Sequence, residues 1–185
     1  ALPAYFQPEL RVVNLALPGV STKKYLENSR NLPNLMKIKP DFVLIHYGFM
    51  DALSRRESLR TSPEEFAKNI ATIVEAVRSV RATPILRTPV TTMDFDDNQQ
   101  LRPHLFAHSA NIFQLASELN CPLVNLYQAS FPFFQDIGLE GSLELRGSPE
   151  DELHFNAKGA KVVAELVLPL LPPFLRAYLI SEDGP

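Results

Sequence analysis

The sequence predicts an α/β protein, a three-layer α/β/α sandwich built around a parallel sheet. Three observations lead there. Four short segments are nearly all apolar instead of alternating, as strands buried on both faces require. Longer segments between them carry apolar residues at helical spacing. Most of the 16 prolines fall where these segments begin or end, which is where proline is tolerated.

Taken in order, the expected strands are Arg11–Leu17, Phe42–Tyr47, Pro84–Thr88 and Pro122–Leu126. The first expected helix runs from Pro63 to Ala82 and places Phe66, Ile70, Ile73, Val74 and Val77 on one face. Its start, Thr61-Ser62-Pro63-Glu64-Glu65, combines a capping hydroxyl, an early proline and acidic side chains at the positive end of the helix dipole. A second helix, Leu105 to Leu119, repeats the spacing with Leu105, Ile112, Leu115, Ala116 and Leu119. A last helix should run from Asn156, as its cap, to Leu171, with Val162, Val163, Leu166 and Val167 inward. Met93–Arg102 and Asp136–Glu150 read as long loops. Alternating strands and helices imply right-handed crossovers and a site at the rim where strands end. No repeat or linker interrupts the 185 residues, so one domain, 1–185, is expected.

Composition removes several function classes. A net charge of −3 supplies no electrostatic footprint for nucleic acid or an anionic membrane. No apolar run reaches the roughly 18–20 residues that cross a bilayer. The lone Cys121 excludes an internal disulfide framework and reads as a small buried hydrophobe before a strand. It leaves the compartment open. The chain opens at Ala1 without Met or signal peptide, and Ala1–Phe6 reads as the tail of an amphipathic helix, so preceding residues are expected.

The strongest chemical signal is Asp151-Glu152-Leu153-His154-Phe155-Asn156. An Asp three residues before a His can reach its imidazole Nδ1, fix the tautomer and stabilise the imidazolium that a general base becomes. The plain alternative is a cap beside a surface histidine. Two strands ending in glycine turns accompany the motif: Val12–Ser21, holding Asn14 and Gly19, and Pro40–Asp51, holding Gly48. Other groups invite simpler readings. Ser21 heads an S-x-x-K run but fails the G-x-S-x-G elbow, and reads as a helix cap. Ser142 and Ser148 have no strand behind them. His104 and His108, spaced i, i+4, read as polar decoration of a helix and not as metal ligands. His46 reads as a core histidine. Arg55, Arg56 and Arg60 form a basic cluster, either a solvated face or a contact for an anionic substrate. Tyr127–Phe134 reads as an aromatic pocket wall or as packing.

The order N-x-A-x-x-G, then P-D-x-V-x-I-x-x-G-x-x-D, then D-x-x-H before a helix resembles the SGNH (GDSL-type) serine hydrolases over nearly the whole chain. The resemblance implies a flavodoxin-like fold and no cofactor. It also implies esterase chemistry on small acyl esters such as acetylated sugars, with His154 as base, Asp151 as its partner and Gly19 as an oxyanion donor. Gly48 fits turn geometry, and Asp51 a helix cap. Two departures stand out. No Gly-Asp-Ser occurs in the sequence, so the family's first block, a central strand with the nucleophilic serine, is missing. Met50 occupies the position of the family's oxyanion asparagine, and a thioether has no N–H to give.

The missing strand should leave a gap between Arg11–Leu17 and Phe42–Tyr47. A longer chain, a partner or swapped strand (self-association), or direct pairing of the two segments would fill it. The rival functions are a non-catalytic binding remnant and an acyltransferase on the same scaffold.

Overall fold

The structure, a computed structural model, describes residues 2–180 of the chain. Ala1 lies outside the described residues. Two compact units emerge: Leu15–Pro89 with Pro103–Tyr127, and the stretch up to Asn14 with Val90–Arg102 and the chain from Gln128 onward.

The first unit holds the parallel sheet. Its elements run α1 (Thr22–Glu27), α2 (Asn31–Ile38), β1 (Phe42–His46), α3 (Phe49–Leu53), α4 (Pro63–Ser79), β2 (Thr83–Arg87), α5 (Phe106–Glu118) and β3 (Leu123–Val124). The strand order is β1-β2-β3, with Phe42 opposite Thr83, His46 opposite Arg87 and Arg87 opposite Val124. All pairs are parallel, as apolar runs joined through helices require. Helix α4 begins as expected: the Ser62 hydroxyl accepts from the Glu65 N–H, followed by Pro63 and two acidic residues. Its Phe66, Ile70, Ile73, Val74 and Val77 are all buried, each contributing roughly 1.5–3 kcal/mol of burial free energy. They pack with Ile45, Leu86, Ile112 and Leu115 as one core. Cys121 joins that core, and burial pushes its thiol pKa up.

The second unit carries α6 (Leu126–Leu143) from Gln128 on, α7 (Ala157–Val167) and α8 (Pro173–Arg176). A 3-10 turn at Leu2–Tyr5 leads to Phe6, which bridges Leu179, and the Gln7 N–H donates to the Tyr178 carbonyl at 2.8 Å. Met93, Leu101, Phe134 and Leu145 form this unit's core, with Phe155 and Val162 against it. Among the described residues no helix is long and apolar enough to cross a membrane.

Several expectations are corrected. Arg11–Leu17 is not a strand but irregular chain, with Val12, Val13, Leu15 and Leu17 exposed. Among the described residues it joins none of the sheet's ladders, so the expected direct pairing with β1 is not formed. Asp136–Glu150 is helical to Leu143 and not a loop, with a break at Gly138, whose φ is 66°. The last helix stops at Val167 and continues as a 3-10 turn, Leu168–Leu170, because Pro169 cannot extend the α ladder. His46 is exposed on β1 and not buried in a core.

Candidate functional site

Local hydrogen bonding brings Asp151 and His154 together before α7. The Asp151 carboxylate accepts from the backbone N–H of His154 at 2.9 Å and of Leu153 at 3.0 Å. The same carboxylate lies 3.0 and 3.2 Å from His154 Nδ1. These three contacts close one tight turn, which is what the D-x-x-H spacing permits. The His154 backbone N–H, then that of Leu153, then the imidazole hold the Asp151 carboxyl below its usual range. The Asp151 side chain is 30% exposed and that of His154 81%, so the carboxylate is sheltered while the ring is open to solvent. With Nδ1 turned to the carboxylate, Nε2 is left to take a proton from solvent or substrate.

The segment carrying this dyad is held from several sides. Asn156 caps α7 by accepting from the Gly159 N–H, and its amide donates to the Glu144 carbonyl. The Gly147 N–H donates to the His154 carbonyl at 2.8 Å, and Arg146 bridges Phe155. The Met93 N–H donates to the Glu152 carbonyl at 2.8 Å. Buried Arg146 then ties both sides: its guanidinium donates to the Pro149 carbonyl at 2.8 Å and to the Met93 carbonyl. The sequence reading missed Arg146. An arginine that binds backbone carbonyls leaves no pattern of partner side chains to detect.

The other unit holds the remaining predicted positions. Gly19 sits exposed after the irregular segment with φ 70°, and nothing lies within 4 Å of where a Cβ would be, so backbone conformation alone selects glycine. Met50 lies on α3. Gly19 and Met50 line a cleft of about 420 Å3 with Pro18, Ser54, Arg55, Arg56 and Leu59. Gly48, with φ 116°, starts α3 as the turn residue expected. Asp51 does more than cap. Buried at 1% exposure, it accepts from the Thr22 N–H and from the Thr22 and Thr61 hydroxyls, while Asn69 donates to Thr22. This network anchors α1 to α3 and α4.

The other serines are accounted for structurally. Ser21 is buried and caps α1. Ser142 is buried within α6, and the Ser148 carbonyl accepts the Asp151 N–H in a turn. His104 precedes α5 and His108 lies inside it, so they do not share a helix face. His108 is not surface decoration: it is buried edge-on to Phe66 at 4.9 Å, and burial lowers its pKa. Among the described residues no group of acidic, histidine or cysteine side chains could hold a metal. Arg60 donates to the Ser54 carbonyl at 2.7 Å. Tyr127–Phe134 lies on α6, where Phe131, Phe133 and Phe134 serve the core.

Residues 1–162 match the model of the GDSL-like lipase/acylhydrolase family. The rhamnogalacturonan acetylesterase RhgT of Bacillus subtilis (strain 168) is 26% identical over 195 residues, covering 97% of this chain and 83% of that protein. The solved structure of the Bacillus subtilis protein YXIM superposes with a TM-score of 0.78 at 28% identity, covering 92% of this chain. This chain spans about half of that one, 48%. A catalytic mutant of Axe2, an acetylxylan esterase from Geobacillus stearothermophilus, gives a TM-score of 0.69 at 19% identity over 86% of this chain and 71% of its own, a likeness of fold.

Proposed function

The chain belongs to the GDSL-like lipase/acylhydrolase family, and on that premise we propose that it serves as an esterase removing acetyl groups from carbohydrate. The observation that carries the reading is the contact of His154 Nδ1 with the Asp151 carboxylate at 3.0 Å. In this proposal His154 Nε2 takes the proton of an attacking serine hydroxyl as its oxygen bonds to the ester carbonyl carbon. Asp151 stabilises the resulting imidazolium, which then protonates the departing sugar oxygen as the C–O bond breaks. Water repeats the cycle on the acyl-enzyme and releases acetate. Gly19 offers its backbone N–H to the tetrahedral oxyanion. The serine is not among these 185 residues, which contain no Gly-Asp-Ser. An alcohol in place of water would make the same steps an acyl transfer.

One observation favours a second reading, an impaired scaffold that binds without turnover. The Met50 side chain has no N–H to give where the family pattern has an asparagine amide, and one lost oxyanion donor costs roughly 10²–10³ in rate. Hydrolysis of p-nitrophenyl acetate by the intact protein separates the two. The esterase reading expects His154→Ala to lower the rate by about 10²–10⁴-fold. Equal rates for the two proteins would remove it.

A further inference from the structure

Arg146 is buried, at 6% exposure, and among the described residues no carboxylate pairs with it. Its Nε is also buried without a hydrogen-bond partner. A guanidinium taken out of water without a counter-charge costs free energy that an apolar side chain of similar volume avoids. Filling the core therefore does not account for an arginine at this position.

The two carbonyls it binds are better informed. Pro149 lies two residues before Asp151, so the bond from Nη1 to its carbonyl, 2.8 Å long, fixes the entry of the dyad turn. Met93 reaches the middle of the turn: its N–H donates to the Glu152 carbonyl at 2.8 Å, and its own carbonyl accepts from Arg146 Nη2. The exit is held by the main chain around Arg146. Arg146 bridges Phe155, the Gly147 N–H donates to the His154 carbonyl, and the Asn156 N–H donates to the Leu145 carbonyl at 3.0 Å. One residue thus borders the Asp151–His154 turn at its start, middle and end. All of these residues belong to one compact unit. The His154 side chain is mostly exposed, so packing does little to orient its ring. Its orientation depends on where the backbone sets Asp151 and His154. A planar fork meets two carbonyls at fixed directions, which a single ammonium on a flexible stem reproduces only in part.

We propose that Arg146 is a positioning residue for the dyad. By holding the Pro149 and Met93 carbonyls in fixed relation, it keeps the Asp151 carboxylate against His154 Nδ1 and leaves Nε2 free. It touches no reacting atom. Its consequence for turnover rests on the esterase reading above, whereas the geometry it maintains can be read without substrate.

The test is nitrogen-15 NMR of the His154 ring, held neutral, in the intact protein and three variants, with thermal midpoints from circular dichroism. Arg146→Gln should lower the share of rings protonated on Nδ1 by about half or more, and Arg146→Lys should recover part of it. Ile137→Ala, which loosens the core of the same unit away from the turn, should lower the midpoint and leave the tautomer unchanged. On p-nitrophenyl acetate, Arg146→Gln should lose about tenfold or more in kcat with KM little changed. An unchanged tautomer in folded Arg146→Gln overturns the proposal, and so does an equal loss in Ile137→Ala. A ring without Nδ1 preference in the unaltered protein, or an effect on KM alone, overturns it as well. Should the glutamine variant not fold, Arg146→Lys decides: a partial loss of the Nδ1 preference supports the role. An unchanged preference there, or loss of the fold in both variants, reduces Arg146 to a purely structural residue. Failure of the intact protein to hydrolyse p-nitrophenyl acetate would count against the esterase reading alone, because the tautomer is read without turnover.

Discussion

Two backbone N–H groups, from Leu153 and His154, hold the Asp151 charge together with the imidazole, and they fix when that charge can be lost. A carboxyl whose folded pKa is lowered adds stability above its unfolded value, and that stability disappears as pH falls through the folded value. Free aspartate titrates near pH 3.9. Asp151 therefore stays charged, and paired, below that point. The expected outcome is a gap in thermal midpoint between the protein and its Asp151→Asn variant that is widest above the free-aspartate value and closes as the pH falls below it. A gap independent of pH would show that the carboxylate charge is not what the turn relies on. Arg146 illustrates the converse kind of residue: its guanidinium binds carbonyls on both sides of the dyad segment, and nothing in the sequence nearby announces it.

Close packing at the start of α7 determines how firmly the dyad is seated. A Cβ on Gly159 would stand 2.3 Å from the Leu145 carbonyl oxygen and 2.9 Å from the Phe155 ring. Gly159→Ala must therefore push α7 away from the segment that carries His154. A loss of about 1–3 kcal/mol of stability is expected in urea unfolding; an unchanged midpoint would contradict the packing described. Elements whose signals are local were legible in the sequence. The Ser62 and Asn156 caps, the buried stripe of α4 and the D-x-x-H turn all depend on neighbours within one turn of chain. Arg11–Leu17 failed for the opposite reason, since whether an apolar run becomes a strand is decided by residues far away in the chain. The stretch from Asp136, expected as a loop, is helical to Leu143 with a break where Gly138 takes φ 66°, and Phe134 just before it packs into the core.

At the scale of the molecule, the α/β class and the parallel pairing of β1, β2 and β3 follow from buried apolar runs separated by amphipathic helices. The division into two units did not, because it depends on long-range contacts that bring Val90–Arg102 beside the chain from Gln128 onward. The proposed chemistry reduces to one imidazole whose Nδ1 is held and whose Nε2 is free. Nitrogen-15 NMR of the His154 ring reads this directly and needs no substrate. With the ring neutral, the account predicts a proton on Nδ1 and none on Nε2, with that preference lost in Asp151→Asn. A ring protonated mainly on Nε2 in the unaltered protein would contradict it.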